Sequence, residues 1–427
     1  MTIMKDMRVL WLSMNDGLLR STDGSRYHGQ GWIASLQSFV EQTDVTLALA
    51  YVSECDRDVR TVGRTTYYPI YQRPRNRFQK LREYYGGYRH LDRERYILQI
   101  NAVISQFRPN VIHLFGIENG LATILGRTDV PVIVHLQGIL GPVSNTFFPS
   151  GMSRFSFLFP FTLREWLLRN GSRYAYDSMR VRSRQEEELF RSAMYFIGRT
   201  RWDEEISKLL SPDSIYYTVN EILRPAFYEH KGEWHYNNGE FTIVSTLSET
   251  TYKGLDLILK TADFMRRQLG MKFHWKVIGV NANTPFVRHF ERAMAITSSE
   301  VGVKYKGVKG ESDLVAELLN SHVYVHTSYI ENSSNSICEA QLLGIPVVAT
   351  RVGGTDSLIE DGKSGLLIPS NGVYELAARL KQLSSDGSMA EKLSRAGYET
   401  ALKRHNPDAI IEALTDAYCN VLEESQQ

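Results

Sequence analysis

Short runs of β-branched and aliphatic residues alternate with amphipathic stretches of helical length in two separate parts of this chain. Regular alternation of strand and helix is typical of a parallel sheet flanked by helices, because parallel strands need a long crossover connection. In the first part we predict strands at 8–12, 45–50, 111–114 and 132–135, and helices at 32–41 and 96–106. The first part therefore predicts an α/β domain.

The same alternation resumes near Glu240, after a stretch that we read as irregular. Here we predict strands at 241–245, 273–278, 301–305, 323–327, 345–350 and 365–368, and helices at 255–269, 286–296, 313–320, 374–383, 390–403 and 408–422. A chain of 427 residues is too long for one ordinary core. We predict domains at 1–220 and 221–405, followed by a C-terminal helix at 406–427 that Asn406 caps and that can cross back to the first domain.

Composition excludes several classes of protein. The formal net charge of +1 gives no reason to expect nucleic acid as a partner. Cys55, Cys338 and Cys419 are too scattered for a metal site or a disulfide framework, which fits a reducing cytoplasm. The first apolar run is too short for a signal peptide, and no run of about 18 apolar residues occurs. We expect a cytoplasmic protein that meets a membrane only at its surface, at the inner face of the plasma membrane.

The segment after the predicted strand 323–327 carries a polar turn and then a helix. Free amides at the start of that helix would attract an anion such as a diphosphate, since the helix dipole also favours negative charge there. The residues expected to supply these amides are Asn335, Ser336 and Ile337. Glu339 lies about one turn inside the helix, where it could accept hydrogen bonds from a ribose diol, and Glu331 precedes the helix, where it could meet sugar hydroxyls.

The next predicted strand ends in the pair Gly353-Gly354. Glycines at the carboxyl edge of an open α/β sheet permit close backbone approach, and ligands bind at that edge. Gly29 and Gly31 lie at the predicted start of the first helix, which suits a backbone that approaches a phosphate. An ordinary loop is the alternative for these two glycines.

These residues resemble a known family. Glu331, Glu339, the run from Gly344 to Thr350, Gly353-Gly354 and the run from Gly362 to Pro369 are similar to the C-terminal signature of retaining glycosyltransferase family 4. The resemblance implies the GT-B fold, in which two Rossmann-like domains face each other across a cleft. It also implies a nucleoside-diphosphate sugar donor, UDP- or GDP-linked, and transfer with retention and without a metal.

Single residues can be matched to roles in that family. Glu339 is similar to the family glutamate that holds the ribose, Glu331 to the one near the donor sugar, and Lys253 to the lysine that neutralises the diphosphate. The family usually has an arginine a few residues before this lysine, and Thr246 occupies that slot here. Arg199 is our candidate for the missing cation, with Arg201 as a second choice.

Three further positions resemble family features. Gly279 and Gly307 are similar to strand-end glycines near the nucleobase, and ordinary turn glycines are the alternative. His135 ends a hydrophobic strand, where the family commonly has a histidine or a short polar residue that faces the donor sugar. A retaining front-face reaction needs no protein nucleophile, because the leaving phosphate can accept the proton of the acceptor.

Two stretches mix basic and aromatic residues, which suits an anionic membrane surface or a lipid-diphosphate acceptor. The simpler alternative is a packed helical insertion with a solvated basic face. The first stretch has Arg73, Arg75, Arg77, Lys80 and Arg82 among Phe78, Tyr84, Tyr85 and Tyr88; the second has Arg154, Arg164 and Arg169 among Phe147, Phe148, Phe155, Phe157, Phe159, Phe161 and Trp166.

The sequence therefore predicts transfer of a sugar from a nucleotide sugar to a saccharide or polyprenyl-linked saccharide acceptor. Residues 198–203 and 219–225 resemble bacterial capsular and exopolysaccharide glycosyltransferases of the same family. Two alternatives stay open, namely a GT-B sugar-nucleotide 2-epimerase and a non-catalytic protein that binds sugar nucleotides.

Overall fold

A computed structural model of the chain describes residues 7–22, 31–55, 58–72, 78, 93–153, 155, 157, 163 and 171–426. The chain divides into two compact units. Unit 1 consists of 1–141, 177–222 and 405–427, and unit 2 consists of 142–176 and 223–404. Residues 142–176 thus group with unit 2, whereas the predicted boundaries assign them to the N-terminal domain. The C-terminal residues group with unit 1.

Unit 1 contains an eight-stranded sheet in which the strands lie in the order β3, β4, β2, β1, β5, β6, β7, β8. All neighbours are parallel except β3 and β4. The strands are β1 (Arg8–Ser13), β2 (Thr46–Ser53), β3 (Arg60–Val62), β4 (Thr65–Tyr71), β5 (Val111–Phe115), β6 (Val132–His135), β7 (Tyr195–Gly198) and β8 (Ile215–Thr218). The central strands β1 and β5 are buried on both faces, as expected for a sheet covered by helices.

The helices of this part are α1 (Gly31–Val40), α2 (Arg93–Phe107), α3 (Leu140–Asn145), α4 (Ser172–Phe190), α5 (Arg201–Leu210) and, at the C-terminus, α13 (Pro407–Ser425). Both α3 and α4 cross a boundary between the units. Short 3₁₀ turns occur at Gly17–Thr22 and Gly120–Ile124.

The prediction of an irregular stretch before Glu240 is wrong, because β7, β8, α4 and α5 lie there. The two strands have only four residues each. α4 is so rich in charged residues that its apolar period is weak. A signal for α5 was present, since Thr200 and Asp203 form a reciprocal capping box at its start.

Unit 2 contains a six-stranded, wholly parallel sheet in the order β11, β10, β9, β12, β13, β14. Its strands are β9 (Thr242–Thr246), β10 (His274–Ile278), β11 (Val303–Tyr305), β12 (Val323–His326), β13 (Val347–Thr350) and β14 (Leu366–Ile368). Its helices are α6 (Pro225–Glu229), α7 (Leu255–Asp263), α8 (Pro285–Met294), α9 (Glu311–Leu319), α10 (Asn335–Leu343), α11 (Val373–Ser385) and α12 (Gly387–Arg404).

α7 continues as a wider π-helical turn at Phe264–Gln268, and 3₁₀ turns occur at Thr251–Lys253 and Gly353–Ser357. One hydrophobic core runs through unit 2 and includes Trp275, Tyr324 and Phe273. The predicted α/β class is confirmed by the two sheets. Within the described ranges, no helix is both long and apolar enough to cross a membrane.

Parallel register places the loops of interest at one edge of the sheet in unit 2. Thr246, Ile278, His326 and Thr350 are the last residues of four strands that pair side by side. The loops that follow these strands therefore start at the same carboxyl edge, which is where open α/β sheets bind ligands.

The predicted cap of α13 is present, since the Asn406 side chain accepts a hydrogen bond of 3.1 Å from the Ala409 amide. We expect Asn406→Ala to destabilise the first turn of α13 by about 1 kcal/mol, because that amide loses its acceptor. Hydrogen exchange of the first-turn amides should then rise about fivefold when measured by mass spectrometry. Asn406→Ser, which keeps an oxygen acceptor, is the control, and equal exchange in both variants would contradict the assignment.

Candidate functional site

A carboxylate and an ammonium group meet at the carboxyl edge of the sheet in unit 2. Lys253, at the end of a 3₁₀ turn, donates to Oε1 of Glu331 in the loop after β12. The same oxygen accepts a 2.8 Å hydrogen bond from the Ser328 hydroxyl and lies 3.3 Å from Nε2 of His326. The loop between β12 and α10 thus brings together the two predicted residues Glu331 and Lys253.

The charges of this pair stabilise each other. Burial raises the pKa of the Glu331 carboxyl, but the Lys253 ammonium and the hydrogen bond with His326 outweigh it, so that the pKa lies well below its usual range. Burial lowers the pKa of Lys253, and Glu331 outweighs that effect and raises it. Glu331 is therefore an anion and Lys253 a cation at neutral pH.

Two glycines let the backbone come close enough to form this pair. Gly254 has φ 77°, and a Cβ there would lie 2.0 Å from the carbonyl oxygen of Thr327. Gly353 has φ 51°, and a Cβ there would lie 1.9 Å from the carbonyl oxygen of Glu331. The Gly354 amide donates to that carbonyl at 3.0 Å. The predicted Gly353-Gly354 approach therefore serves the Glu331 backbone.

The start of α10 offers fewer amides than the sequence predicts. The Ile337 amide donates to the Ser334 carbonyl at 3.0 Å, and that oxygen also accepts from the Cys338 amide at 3.2 Å. The prediction of a free Ile337 amide is thus wrong, because the first turn tightens and uses it. The amides of Asn335 and Ser336 remain at the helix start. Asn335 Oδ1 is buried without a hydrogen-bond partner in the described part of the chain.

Glu339 faces an arginine that sequence reasoning missed. Nε and Nη2 of Arg224 donate to its two carboxylate oxygens at 2.8 Å and 2.9 Å. Arg224 precedes Pro225 at the start of α6, and its guanidinium also lies 3.9 Å from Glu311. A bidentate pair orients a carboxylate and uses only part of its capacity as an acceptor.

Thr246, in the slot where the resemblance leads one to expect arginine, belongs to a neutral hydrogen-bonded chain. Its hydroxyl lies 2.7 Å from the hydroxyl of Tyr324, which also bonds with Ser336. Burial is the largest cause that raises the pKa of Tyr324, to about 12. A hydroxyl network therefore occupies the position of the missing cation.

The two strand-end glycines contact each other. The Gly279 amide donates to the Gly307 carbonyl at 2.7 Å, and the Gly307 amide donates to the Val280 carbonyl at 3.0 Å. A Cβ on Gly279 would lie 2.1 Å from the Leu247 carbonyl oxygen. Backbone crowding thus requires glycine at position 279.

In unit 1, predicted residues gather at the carboxyl edge of the other sheet. His135 ends β6 and is fully buried, with the Trp32 ring edge-on at 5.1 Å between centroids. The Arg199 guanidinium lies 5.3 Å from the same Trp32 ring. Gly31 begins α1 directly before Trp32, and Gly29 lies outside the described residues.

Arg199 is held by groups of unit 1. Its Nη2 donates to the carbonyl oxygens of Leu136 and Gln137 at 3.2 Å and 3.5 Å, and its Nη1 lies 3.8 Å from the Glu221 carboxylate. The side chain fixes the backbone after His135. Arg201, the second choice for the missing cation, is exposed and pairs with Glu205.

A buried carboxyl group that the sequence did not reveal lies near the same edge. Glu186 on α4 accepts a 2.8 Å hydrogen bond from the Leu140 amide. Burial, and next the neighbouring Glu118, raise the pKa of Glu186 to about 8, although two backbone amides act against them. Glu186 is therefore mostly protonated at neutral pH.

The two basic and aromatic stretches lie largely outside the described residues. Within the described part, Phe157 is fully buried and packs on Phe290, with 5.4 Å between ring centroids. Phe155 and Phe78 are exposed. For this one residue, burial favours the alternative of a packed insertion over a membrane-facing surface.

Two α/β units, each with a sheet that is wholly or largely parallel, agree with the GT-B fold class. The solved structure of HepE from Anabaena, in complex with UDP and glucose, has the same fold, with a TM-score of 0.62. That likeness has 13% sequence identity and covers 96% of this chain and 98% of that chain. The predicted GT-B fold is thereby confirmed.

Residues 228–400 match the model of the family described as Glycosyl transferases group 1. WcaL of Salmonella typhimurium, a candidate colanic acid biosynthesis glycosyltransferase, is 28% identical over 175 residues, which are 39% of this chain and 42% of that protein. CapM of Staphylococcus aureus, a capsular polysaccharide biosynthesis glycosyltransferase, is 27% identical over 119 residues, which are 28% of this chain and 31% of that protein. The matches thus span less than half of these relatives.

Gly254→Ala tests the close approach behind the ion pair. The added Cβ would meet the Thr327 carbonyl, so we expect the free energy of unfolding to fall by about 1–3 kcal/mol more than in Gly270→Ala. Gly270 is a matched control, because it has φ 61° and no atom within 4 Å of an added Cβ. Denaturant titration measures the difference, and equal losses would show that Gly254 is needed only for its φ.

Glu186→Gln tests the buried acid. The folded state keeps this proton up to pH about 8, while the unfolded state releases it near 4.5, so its contribution to stability is lost as the pH rises between these values. We expect denaturant unfolding at pH 5 and pH 8 to show a smaller loss of stability in the variant than in the wild type. Glu188→Gln on the exposed side of α4 is the control and should leave the wild-type pH dependence in place.

Proposed function

We propose that this protein is a retaining glycosyltransferase that moves a sugar from a nucleoside-diphosphate sugar to a saccharide or lipid-linked saccharide acceptor. The observation that carries the proposal is the pair of Lys253 and Glu331 beside the start of α10, at the carboxyl edge of the sheet in unit 2. The family match over residues 228–400 supports transfer rather than epimerisation.

The diphosphate would lie at the start of α10. An ammonium group has three donors, so Lys253 can keep its bond to Glu331 and still donate to a phosphate oxygen. As the bond to the sugar breaks, negative charge develops on the leaving diphosphate, and a fixed cation stabilises it. The amides of Asn335 and Ser336 would add to that stabilisation through the helix dipole.

The two glutamates would bind different parts of the donor. Glu339 would accept from the ribose diol, and its pairing with Arg224 would orient its carboxylate for that contact. Among the described residues, the three side-chain contacts of Glu331 all fall on Oε1, so Oε2 is the oxygen offered to sugar hydroxyls. Gly279 and Gly307 would border the nucleobase. No metal is needed for these contacts.

Unit 1 would bind the acceptor, and His135 is its candidate catalytic residue. The names of WcaL and CapM support a place in surface polysaccharide assembly. We place the enzyme in the cytoplasm, in contact with the inner face of the membrane where a polyprenyl-linked acceptor would lie. HepE, solved with UDP and glucose, supports UDP over GDP as the first nucleotide to test.

Two variants should separate donor binding from turnover. Lys253→Ala should lower kcat about 100-fold with little change in donor affinity, because the cation acts on developing charge. Glu339→Gln should weaken nucleotide-sugar binding about tenfold, because an amide accepts fewer hydrogen bonds than a carboxylate. Nucleoside-diphosphate release from a panel of UDP- and GDP-sugars and calorimetric binding are the measurements.

The control for both variants is Lys272→Ala, which changes an exposed lysine just before β10 and should leave both constants unchanged. Unchanged kinetics in the two test variants would contradict the site. An epimerised nucleotide sugar, or binding without release of nucleoside diphosphate, would contradict the transferase itself.

A further inference from the structure

Four buried rings form a continuous hydrogen-bonded chain in unit 1. Nε1 of Trp11 donates to the Tyr418 hydroxyl at 3.1 Å, and that hydroxyl lies 2.6 Å from Nδ1 of His113. Nε2 of His113 lies 3.1 Å from Nδ1 of His135. These rings come from β1, α13, β5 and β6, and none is more than 1% exposed.

All four rings are uncharged. Burial lowers the pKa of His113 to about 3, and burial, with His113 and Arg199 nearby, lowers the pKa of His135 well below its ordinary value. Burial also raises the pKa of Tyr418. Each imidazole therefore carries one proton, on one of its two nitrogens.

Two arrangements of the protons can be compared. In the first, Tyr418 donates to Nδ1 of His113, His113 donates from Nε2 to Nδ1 of His135, and His135 carries its proton on Nε2. In the second, Nδ1 of His135 donates to Nε2 of His113 and Nδ1 of His113 donates to the tyrosine oxygen, which still accepts from Trp11 as well. Its own proton then has no acceptor in the described part of unit 1.

The first arrangement leaves fewer buried groups unsatisfied. Nε2 of His135 has no hydrogen-bond partner among the described residues in either arrangement. The second also orphans the Tyr418 proton, and each buried unsatisfied group costs the energy of its lost hydration. The indole can only donate, so the Tyr418 proton cannot bond to it and has His113 as its acceptor among the described residues. The Tyr418 proton therefore sets the direction of the chain.

We infer that Tyr418 is a positioning residue that fixes His135, through His113, as the tautomer with its proton on Nε2. His135 then presents a neutral N–H donor at the end of β6, suited to a hydroxyl or phosphate oxygen of a ligand and unsuited to accepting a proton. The functional part of this inference rests on the proposed transferase. The tautomer itself does not.

Tautomers can be read from histidine nitrogen shifts in protein labelled with ¹⁵N-histidine, with His113→Gln and His135→Gln used for assignment. The wild type should show Nε2–H at both histidines. Tyr418→Phe removes the proton that sets the direction and should give a mixture of tautomers at both. Tyr67→Phe is the matched control, because it removes another buried hydroxyl of unit 1, one bonded to Gln37.

Activity gives a second readout. Tyr418→Phe should lower kcat/KM for transfer about fivefold relative to Tyr67→Phe, as expected for the loss of one net hydrogen bond. A wild-type His135 with its proton on Nδ1, or unchanged tautomers in Tyr418→Phe, would overturn the inference. A wild type that shows the expected tautomers but transfers no sugar would overturn the proposed function and leave the tautomer assignment in place.

Discussion

The pairing of Lys253 with Glu331 depends on a backbone that folds back on itself at two glycines. The 3₁₀ turn before α7 and the loop after β12 approach until the Gly254 Cα faces the Thr327 carbonyl. The Thr327 hydroxyl in turn donates to the Lys253 carbonyl at 3.0 Å. On the other side, the Glu331 carbonyl receives the Gly354 amide. The charged pair is thus fixed by contacts that involve no charge, and side chains larger than hydrogen at Gly254 or Gly353 would force it apart.

Several parts of the fold and site could be predicted because the sequence signals are local. Alternating apolar runs predicted four of the eight strands of the first sheet and all six strands of the second. The cap at Asn406 follows from its side chain and the proline beside it. Glu331 and Lys253 could be named because each lies in a short motif. These signals can be read without knowing which residues that are distant in sequence are in contact.

The parts that could not be predicted depend on contacts between residues that are far apart in the sequence. Arg224 is 115 residues from Glu339, and no sequence motif around either residue indicates that the two form a pair. The tight first turn of α10, which uses the Ile337 amide, is a matter of geometry rather than composition. His326 could have been suspected, since it ends a buried strand directly before the polar loop, but a lone histidine in that place is commonly structural.

The division of unit 1 into three chain segments has a consequence for how the protein is made. Trp11 and Tyr418 are bonded although 407 residues separate them. During synthesis, unit 2 has all of its residues once position 404 has left the ribosome, whereas unit 1 still lacks α13. Contacts of such long range form late and slow folding. Until α13 is made, the side of His113 that Tyr418 covers in the finished protein stays exposed. This exposed part of the first sheet is where we expect chaperones to bind and proteases to cut.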